Sequence, residues 1–187
     1  LIHPTMGERN YHVFYQFLAS ATDQERDQFF LGDMMMEDFM LLSQSDTFDR
    51  RDGVSDETCH LEMLDAMITI GFSAEMIQSL MRLVVSILFL GNITFTSTNH
   101  GESCDLEMND ASLAAASLLG VTFEGLASSL TTRNIRAGLE RMTKPLTVDQ
   151  SAKAKEALIK ATYGAAFDFI VDAINESIKD EETSGLG

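Results

Sequence analysis

The amino-acid sequence predicts a mainly α-helical protein of seven or eight helices with two small β-hairpins. Apolar residues recur at the three- and four-residue spacing of amphipathic helices through most of the chain. Ser, Thr or Asp residues stand where several of these helices would begin. Stretches that alternate with a period of two are few and short, as at 93–96 and 104–108. With 187 residues, of which 45% are hydrophobic, the chain can bury a core as one domain or two small ones.

The N-terminal part predicts three helical segments. Residues 11–21 have the apolar spacing of an amphipathic helix. Thr22 and Glu25 have the spacing of a capping box, so a second short helix begins there and ends near Leu31. The methionine-rich stretch 34–41 predicts another turn or two of helix. Its methionines are interpreted as adaptable core filler, and a groove for partner helices is the alternative.

The central part predicts a polar loop followed by two helices. Residues 43–53 form the loop, and Ser55 caps a helix that Gly71 ends. Ser73 caps a longer helix, which is apolar at almost every position from 76 to 90 and is therefore expected at the centre of the fold. The predicted buried face of the first of these two helices consists of Cys59, Met63, Ala66, Met67 and Ile70.

The C-terminal part begins with a small hairpin around residues 93–108 and two short helices. A second hairpin is predicted from Thr131 to Leu146, with its turn at Ala137-Gly138. A capping box at Thr147 then starts a helix that runs to about Ile178, about 46 Å at 1.5 Å per residue. The tail from Lys179 is interpreted as a solvated linker. The predicted buried stripe of this helix is Ile159, Tyr163, Phe167, Ile170, Ile174 and Ile178.

The second hairpin and the helix after it concentrate positive charge in an acidic chain. Residues 133–160 contain seven of the thirteen Lys and Arg residues but only three of the 29 acids, whereas the whole chain has a net charge of −16. This basic segment indicates an acidic partner. The negative charge of the remainder argues against nucleic acid as a partner.

Known catalytic and metal-binding patterns are absent from the sequence. It contains no P-loop, dinucleotide fingerprint, HExxH or GxSxG pattern, and its two Cys and four His residues complete no metal set. The longest apolar run, 80–90, is shorter than the roughly 20 residues that span a bilayer, so direct membrane insertion is not expected. Because the chain opens on Leu1 and has no signal peptide, we expect an excerpt of a longer cytoplasmic protein.

Eight blocks in this sequence resemble the myosin motor domain, in the family's order and over nearly the whole chain. The most distinctive block is Gly7 to Gln16, GERNYHVFYQ. The other blocks are GFS at 71–73, ILFLGNITF at 87–95, AASLLGV at 115–121, LTTR at 130–133, TKPLTVDQ at 143–150, EALIK at 156–160 and FDFIVDAIN at 167–175.

The resemblance implies a particular part of that motor. It corresponds to the segment between switch I and switch II, chiefly the upper 50 kDa subdomain of a P-loop motor. The implied organisation is an N-terminal helical part at 1–72, a helical core at 73–180 and a linker toward switch II at 181–187. The nucleotide loops would lie outside this chain, so the resemblance implies ATP and Mg²⁺ for the parent motor, with no catalytic, cofactor or metal residue here.

The resemblance also identifies the basic hairpin at 131–146 as the cardiomyopathy loop, an element of the actin interface. The actin filament would then be the acidic partner, beside the remainder of the myosin head. Glu140 lies sixteen residues before Glu156, at the position where the TEDS rule of the family expects an acidic or phosphorylatable residue. The implied actin-binding residues are Arg133, Ile135, Arg136, Leu139, Glu140, Arg141, Met142 and Lys144.

The expected function is therefore that of a piece of an actin-based, ATP-driven motor that contributes filament binding and mechanical coupling. The expected location is cytoplasmic and associated with the cytoskeleton. A helical scaffold or adaptor that binds an acidic protein through the same hairpin is the alternative. A P-loop upstream and a switch II motif downstream of this segment would distinguish the motor from the adaptor.

Overall fold

The computed structural model describes the backbone of residues 2–50, 52–137 and 140–184. Side chains are described over the same ranges except at residues 136, 137, 140, 141 and 180–184. Within these ranges the protein is mainly helical, with eight α-helices and two antiparallel sheets of two strands each. The predicted fold class is confirmed.

The helices and strands follow the predicted order. The helices are α1 His12–Ser20, α2 Asp23–Gln28, α3 Met40–Ser43, α4 Asp56–Thr69, α5 Ala74–Asn92, α6 Asp110–Leu119, α7 Phe123–Thr131 and α8 Val148–Ser184. The strands are β1 Phe95–Thr98, β2 Ser103–Leu106, β3 Thr132–Ala137 and β4 Glu140–Pro145. Short 3-10 helices lie at Met36–Asp38 and Asn99–Gly101.

The helices begin where the sequence places their caps. Thr22 Oγ1 accepts a hydrogen bond from the Glu25 amide at 3.3 Å, and the Glu25 carboxylate accepts one from the Thr22 amide at 2.9 Å, which completes the predicted capping box. Ser55 and Ser73 cap α4 and α5 in the same way through their hydroxyl oxygens. These bonds satisfy amides that have no partner inside the helix, and they set the phase of each apolar face.

Helix α5 is the centre of the hydrophobic core, as predicted. Its residues 84–91 are all buried, and the helix packs against α1, α3, α4, α6 and α8. By length and composition, α5 alone among the single described helices could cross a membrane, and the bent pair α6 and α7 passes the same test together. The helix is longer than the apolar run 80–90 on which the length argument was based. The burial of α5 is that of the core helix of a globular fold.

The end of α5 is held closely against α3. A Cβ atom at Gly91 would lie 2.7 Å from Leu41 Cγ, so a larger residue would not fit without displacement of Leu41. The next residue, Asn92, accepts a hydrogen bond from the Met40 amide at 2.8 Å and donates one to the Asp38 carbonyl at 2.7 Å. The 3-10 segment, α3 and α5 are thereby joined at one point.

The predicted faces of two N-terminal segments need correction. On α4, Met67 is buried as expected, but Ala66 is exposed and His60 is buried instead, because α1 packs over the turn that carries His60. In the methionine-rich stretch, Met34 and Met36 pack against the core, whereas Met35 is 58% exposed. The core-filler interpretation therefore holds for only part of this stretch.

Helix α8 is longer and more exposed than predicted. It extends to Ser184, so the expected end near Ile178 and the start of a linker at Lys179 are wrong for the described residues. The 37 residues of the helix correspond to a length of about 55 Å. Ile159 is buried, but Phe167 is 59% and Ile178 is 51% exposed, because α5 and α7 cover mainly one side of the helix. The predicted stripe is apolar but largely uncovered over its second half.

Candidate functional site

The basic hairpin has the register of a regular antiparallel ladder. Strands β3 and β4 pair Arg133 with Lys144, and two residues along the ladder they pair Ile135 with Met142. The same register places Arg136 opposite Arg141 and Ala137 opposite Glu140. The hairpin therefore brings most of the predicted contact residues together.

Short backbone connections fix the hairpin between two helices. The Leu146 amide donates to the Thr131 carbonyl at 2.8 Å and closes the base of the hairpin. Thr131 Oγ1 donates to the Ala127 carbonyl in α7, also at 2.8 Å. On the other side, Thr147 and Gln150 form the predicted capping box of α8, with bonds of 3.2 and 3.4 Å. The base of the hairpin is thus bonded to α7 and runs directly into the capped start of α8.

Two cations of the hairpin occupy directly facing positions on the two strands. Arg133 and Lys144 are directly opposite and exposed, and among the described side chains neither makes an ion pair. Like charges at facing positions destabilise a pair of strands. The adjacent apolar pair consists of half-buried Ile135 and Met142, which is 53% exposed. Such a surface suits a partner that offers carboxylates beside an apolar patch.

Four of the predicted contact residues have no described side chain. Arg136, Glu140 and Arg141 are placed by their backbone alone, and Leu139, with Gly138, lies outside the described residues. Their roles therefore stay predictions based on the family resemblance and on the register of the strands.

Lys155 has a structural role that the sequence did not reveal. Its ammonium donates to the carbonyls of Gly91 and Ile93, each at 3.1 Å, at the point where α5 ends. Burial lowers the pKa of Lys155, and the nearby Glu156 opposes this effect. Because carbonyls at the C-terminal end of a helix carry negative partial charge, this cation stabilises the junction between α5 and α8. One of the seven cations of the basic segment is thus directed into the fold.

The motif residue Arg9 also has a structural environment. Its guanidinium lies 2.7 Å from Asp56 and 3.9 Å above the ring of Tyr15, and the side chains of Arg9 and Asp56 are 6% and 14% exposed. This ion pair joins the chain before α1 to the start of α4. The spacing of the sequence does not reveal this pair, since the partner is 47 residues away.

No residues are assigned to ATP or Mg²⁺ in the described part of the chain. No cluster of three His, Cys, Asp or Glu side chains that could hold a metal lies in the described part of the chain. The sequence also lacks the glycine-rich loop with lysine that binds nucleotide phosphates. No step of ATP hydrolysis is therefore assigned to these residues.

The fold and the hairpin define a helical subdomain that presents a basic, partly apolar hairpin. The profile of the myosin head (motor domain) matches residues 1–186. Myosin IA heavy chain from Dictyostelium discoideum is 32% identical over 183 residues, which is 96% of this chain and 18% of the relative. Unconventional myosin-Ic from Danio rerio is 35% identical over 182 residues, or 96% of this chain and 17% of the relative. Myosin-3 from Arabidopsis thaliana is 29% identical and covers 95% of this chain and 15% of the relative.

The chain belongs to the myosin head (motor domain) family. The family resemblance derived from the sequence blocks is confirmed, and the relatives do not distinguish a myosin class. The chain spans about a sixth of the length of the curated relatives it matches.

Proposed function

We propose that this chain is part of an actin-based, ATP-driven motor and that the β3–β4 hairpin is its contact with the filament. The observation that carries the proposal is the pair of exposed, facing cations Arg133 and Lys144 next to the apolar pair Ile135 and Met142. A filament surface rich in carboxylates would relieve the repulsion between these cations. Family membership supports the same assignment.

The proposed roles of the hairpin residues follow from their chemistry. The cations Arg133, Arg136, Arg141 and Lys144 would accelerate encounter with the filament, because opposite charges attract over about 10 Å at moderate salt. Ile135, Leu139 and Met142 would then be buried against an apolar part of the partner. Glu140 would be the fixed acidic group at the regulatory position, so no phosphorylation there would be needed for filament engagement.

Mechanical coupling is the second part of the proposal. The chain passes from β4 into α8 through the capped residues 146–147, so the proposed contact is joined directly to a helix of about 55 Å. The remainder of the head would bind ATP and Mg²⁺ and supply the hydrolysis. Attachment to the filament would place the complete protein in the cytoplasm, associated with the cytoskeleton.

Charge reversal in the hairpin tests the filament contact. In the complete motor, Arg136→Glu together with Arg141→Glu should weaken actin cosedimentation by about tenfold at low salt, and the difference should shrink as salt screens the attraction. The matched control reverses Arg82 and Lys179, which are exposed and outside the basic segment. Equal binding of the hairpin variant and the unchanged protein at every ionic strength would contradict the proposal.

A further inference from the structure

A second surface has the features of a binding groove. It lies at the N-terminal half of helix α5, whereas the junction with α8 is at the C-terminal end of that helix. Helix α4 and the first turns of α5, with Glu25 and Phe29 at α2, line an open cavity of about 420 Å³. This volume lies within the range of protein sites that hold a side chain or a small ligand. The apolar walls are formed by Phe29, Leu64, Ile68, Ala74, Ile77 and Met81.

The polar groups of this groove are acidic or neutral. Glu25 and Glu75 line it together with His60 and Gln78, and no described Lys or Arg does so. The Glu25 bonds to Thr22 both use Oε2, and Oε1 is bonded to no described residue. The neighbouring Arg26 is directed elsewhere, because its guanidinium donates to backbone carbonyls, among them that of Gly32 at 3.0 Å.

His60 adds a neutral polar group to the groove. The residue is 5% exposed, its ring meets Phe17 edge-on at 5.9 Å, and Nδ1 has no hydrogen-bond partner among the described residues. Burial lowers the pKa of His60, and the attraction of Glu25 opposes this effect only in part. The imidazole is therefore uncharged at neutral pH and does not cancel the two carboxylates.

An exposed apolar ridge extends the groove along α4. Leu61 is 62% and Ile68 is 61% exposed, and Leu64 lies between them at helical spacing. The ridge is flanked by the exposed acids Glu57 and Asp65. A small ligand in the cavity would leave this ridge in water, whereas the apolar face of a partner helix could cover the ridge and the cavity together.

We infer that this groove binds an amphipathic helix of a partner protein, which places apolar side chains on the α4 ridge and a lysine or arginine between Glu25 and Glu75. Charge complementarity selects this occupant, since a cation on an apolar face matches the two carboxylates that line the apolar groove, where Glu75 is exposed and Glu25 is half-buried. A second copy of the chain fits less well, because both copies carry a net charge of −16. The surface is separate from the hairpin proposed to contact actin.

A labelled model peptide tests the inference in the full-length protein. The probe is a fluorescent helical peptide of leucine and lysine, about 15 residues long, and its counterpart has glutamate in place of lysine. At an ionic strength of about 0.15 M, the lysine peptide should bind with one-to-one saturation in fluorescence anisotropy. The glutamate peptide should not bind.

Substitutions in the groove should weaken binding of the lysine peptide, and matched substitutions elsewhere should leave its binding unchanged. Ile68→Ser and Glu75→Gln should each raise its Kd by about tenfold. The controls Val121→Ser and Glu102→Gln change an exposed apolar residue and an exposed acid away from the groove and should leave the Kd unchanged. Circular dichroism of all four variants checks that each is folded.

Three results would overturn the inference. If the groove variants and the control variants bind the lysine peptide equally weakly, the binding is a general attraction of a cationic peptide to an acidic protein. Binding of phenylbutylammonium in the groove without binding of the peptide would assign the groove to small amines. Self-association in sedimentation velocity that Ile68→Ser abolishes would assign the groove to a second copy of the chain.

Discussion

The environment of individual charged residues decides which of them can serve a partner. Lys155 belongs to the basic segment by sequence, yet its ammonium is used at the end of α5, where it binds the carbonyls of Gly91 and Ile93. Arg133 and Lys144 have no such internal partner among the described side chains and are exposed. In the proposed filament contact, Arg133 and Lys144 are therefore open to a partner, whereas Lys155 is not.

Glu140 provides the sharpest test at the level of a single residue. We expect Glu140→Ala to lower the actin-activated ATPase of the complete motor by about fivefold and to leave basal turnover unchanged, because the residue is proposed to act at the filament contact. Steady-state ATPase measurements with and without actin check this. Glu140→Asp should retain most of the activation, and Glu102→Ala, in the other hairpin, is the control. Equal losses of basal and activated turnover would instead indicate misfolding.

At the scale of secondary-structure elements, the contact between α3 and α5 leaves no room for a side chain at Gly91 unless Leu41 moves. Gly91→Ala should lower the free energy of unfolding by about 1–3 kcal/mol, because the new methyl group would meet Leu41 Cγ at 2.7 Å. Urea denaturation measures the change. Retention of full stability would mean that Leu41 moves aside freely.

A second glycine supplies the matched control for that substitution. Gly164 lies inside α8, and a Cβ there would have no neighbour within 4 Å. Gly164→Ala should therefore raise the free energy of unfolding by about 0.5–1 kcal/mol, because alanine loses less backbone entropy in a helix. Opposite signs for the two substitutions would distinguish packing at Gly91 from helix propensity.

Local signals in the sequence predicted most elements, whereas long-range contacts were not predictable from it. The caps at Thr22, Ser55 and Ser73 depend on bonds to residues three positions away, so their sequence patterns were sufficient. The burial of His60 and the inward direction of Lys155 depend on segments distant in the sequence. For the hairpin, spacing predicted the strands, but the assignment to actin came from the family resemblance.

At the scale of the whole molecule, we propose that this chain contacts the filament and that the remainder of the head binds and hydrolyses ATP. This division can be tested. The 187-residue chain alone should neither bind nor hydrolyse ATP, because it lacks a phosphate-binding loop and no metal cluster lies among its described residues. Titration with a fluorescent ATP analogue measures binding, after circular dichroism has established that the chain is helical. Saturable, magnesium-dependent binding by the chain alone would contradict this division of roles.

The length of α8 has a geometric consequence for the proposed motor. A rod of about 55 Å that rotates by about 5° about one end moves its other end by about 5 Å, roughly the rise of one helical turn. In the proposed motor, a change of angle of this size at the hairpin would thus shift the far end of the helix sideways by several ångströms. The helix would convert a small change of angle into a larger displacement at its other end.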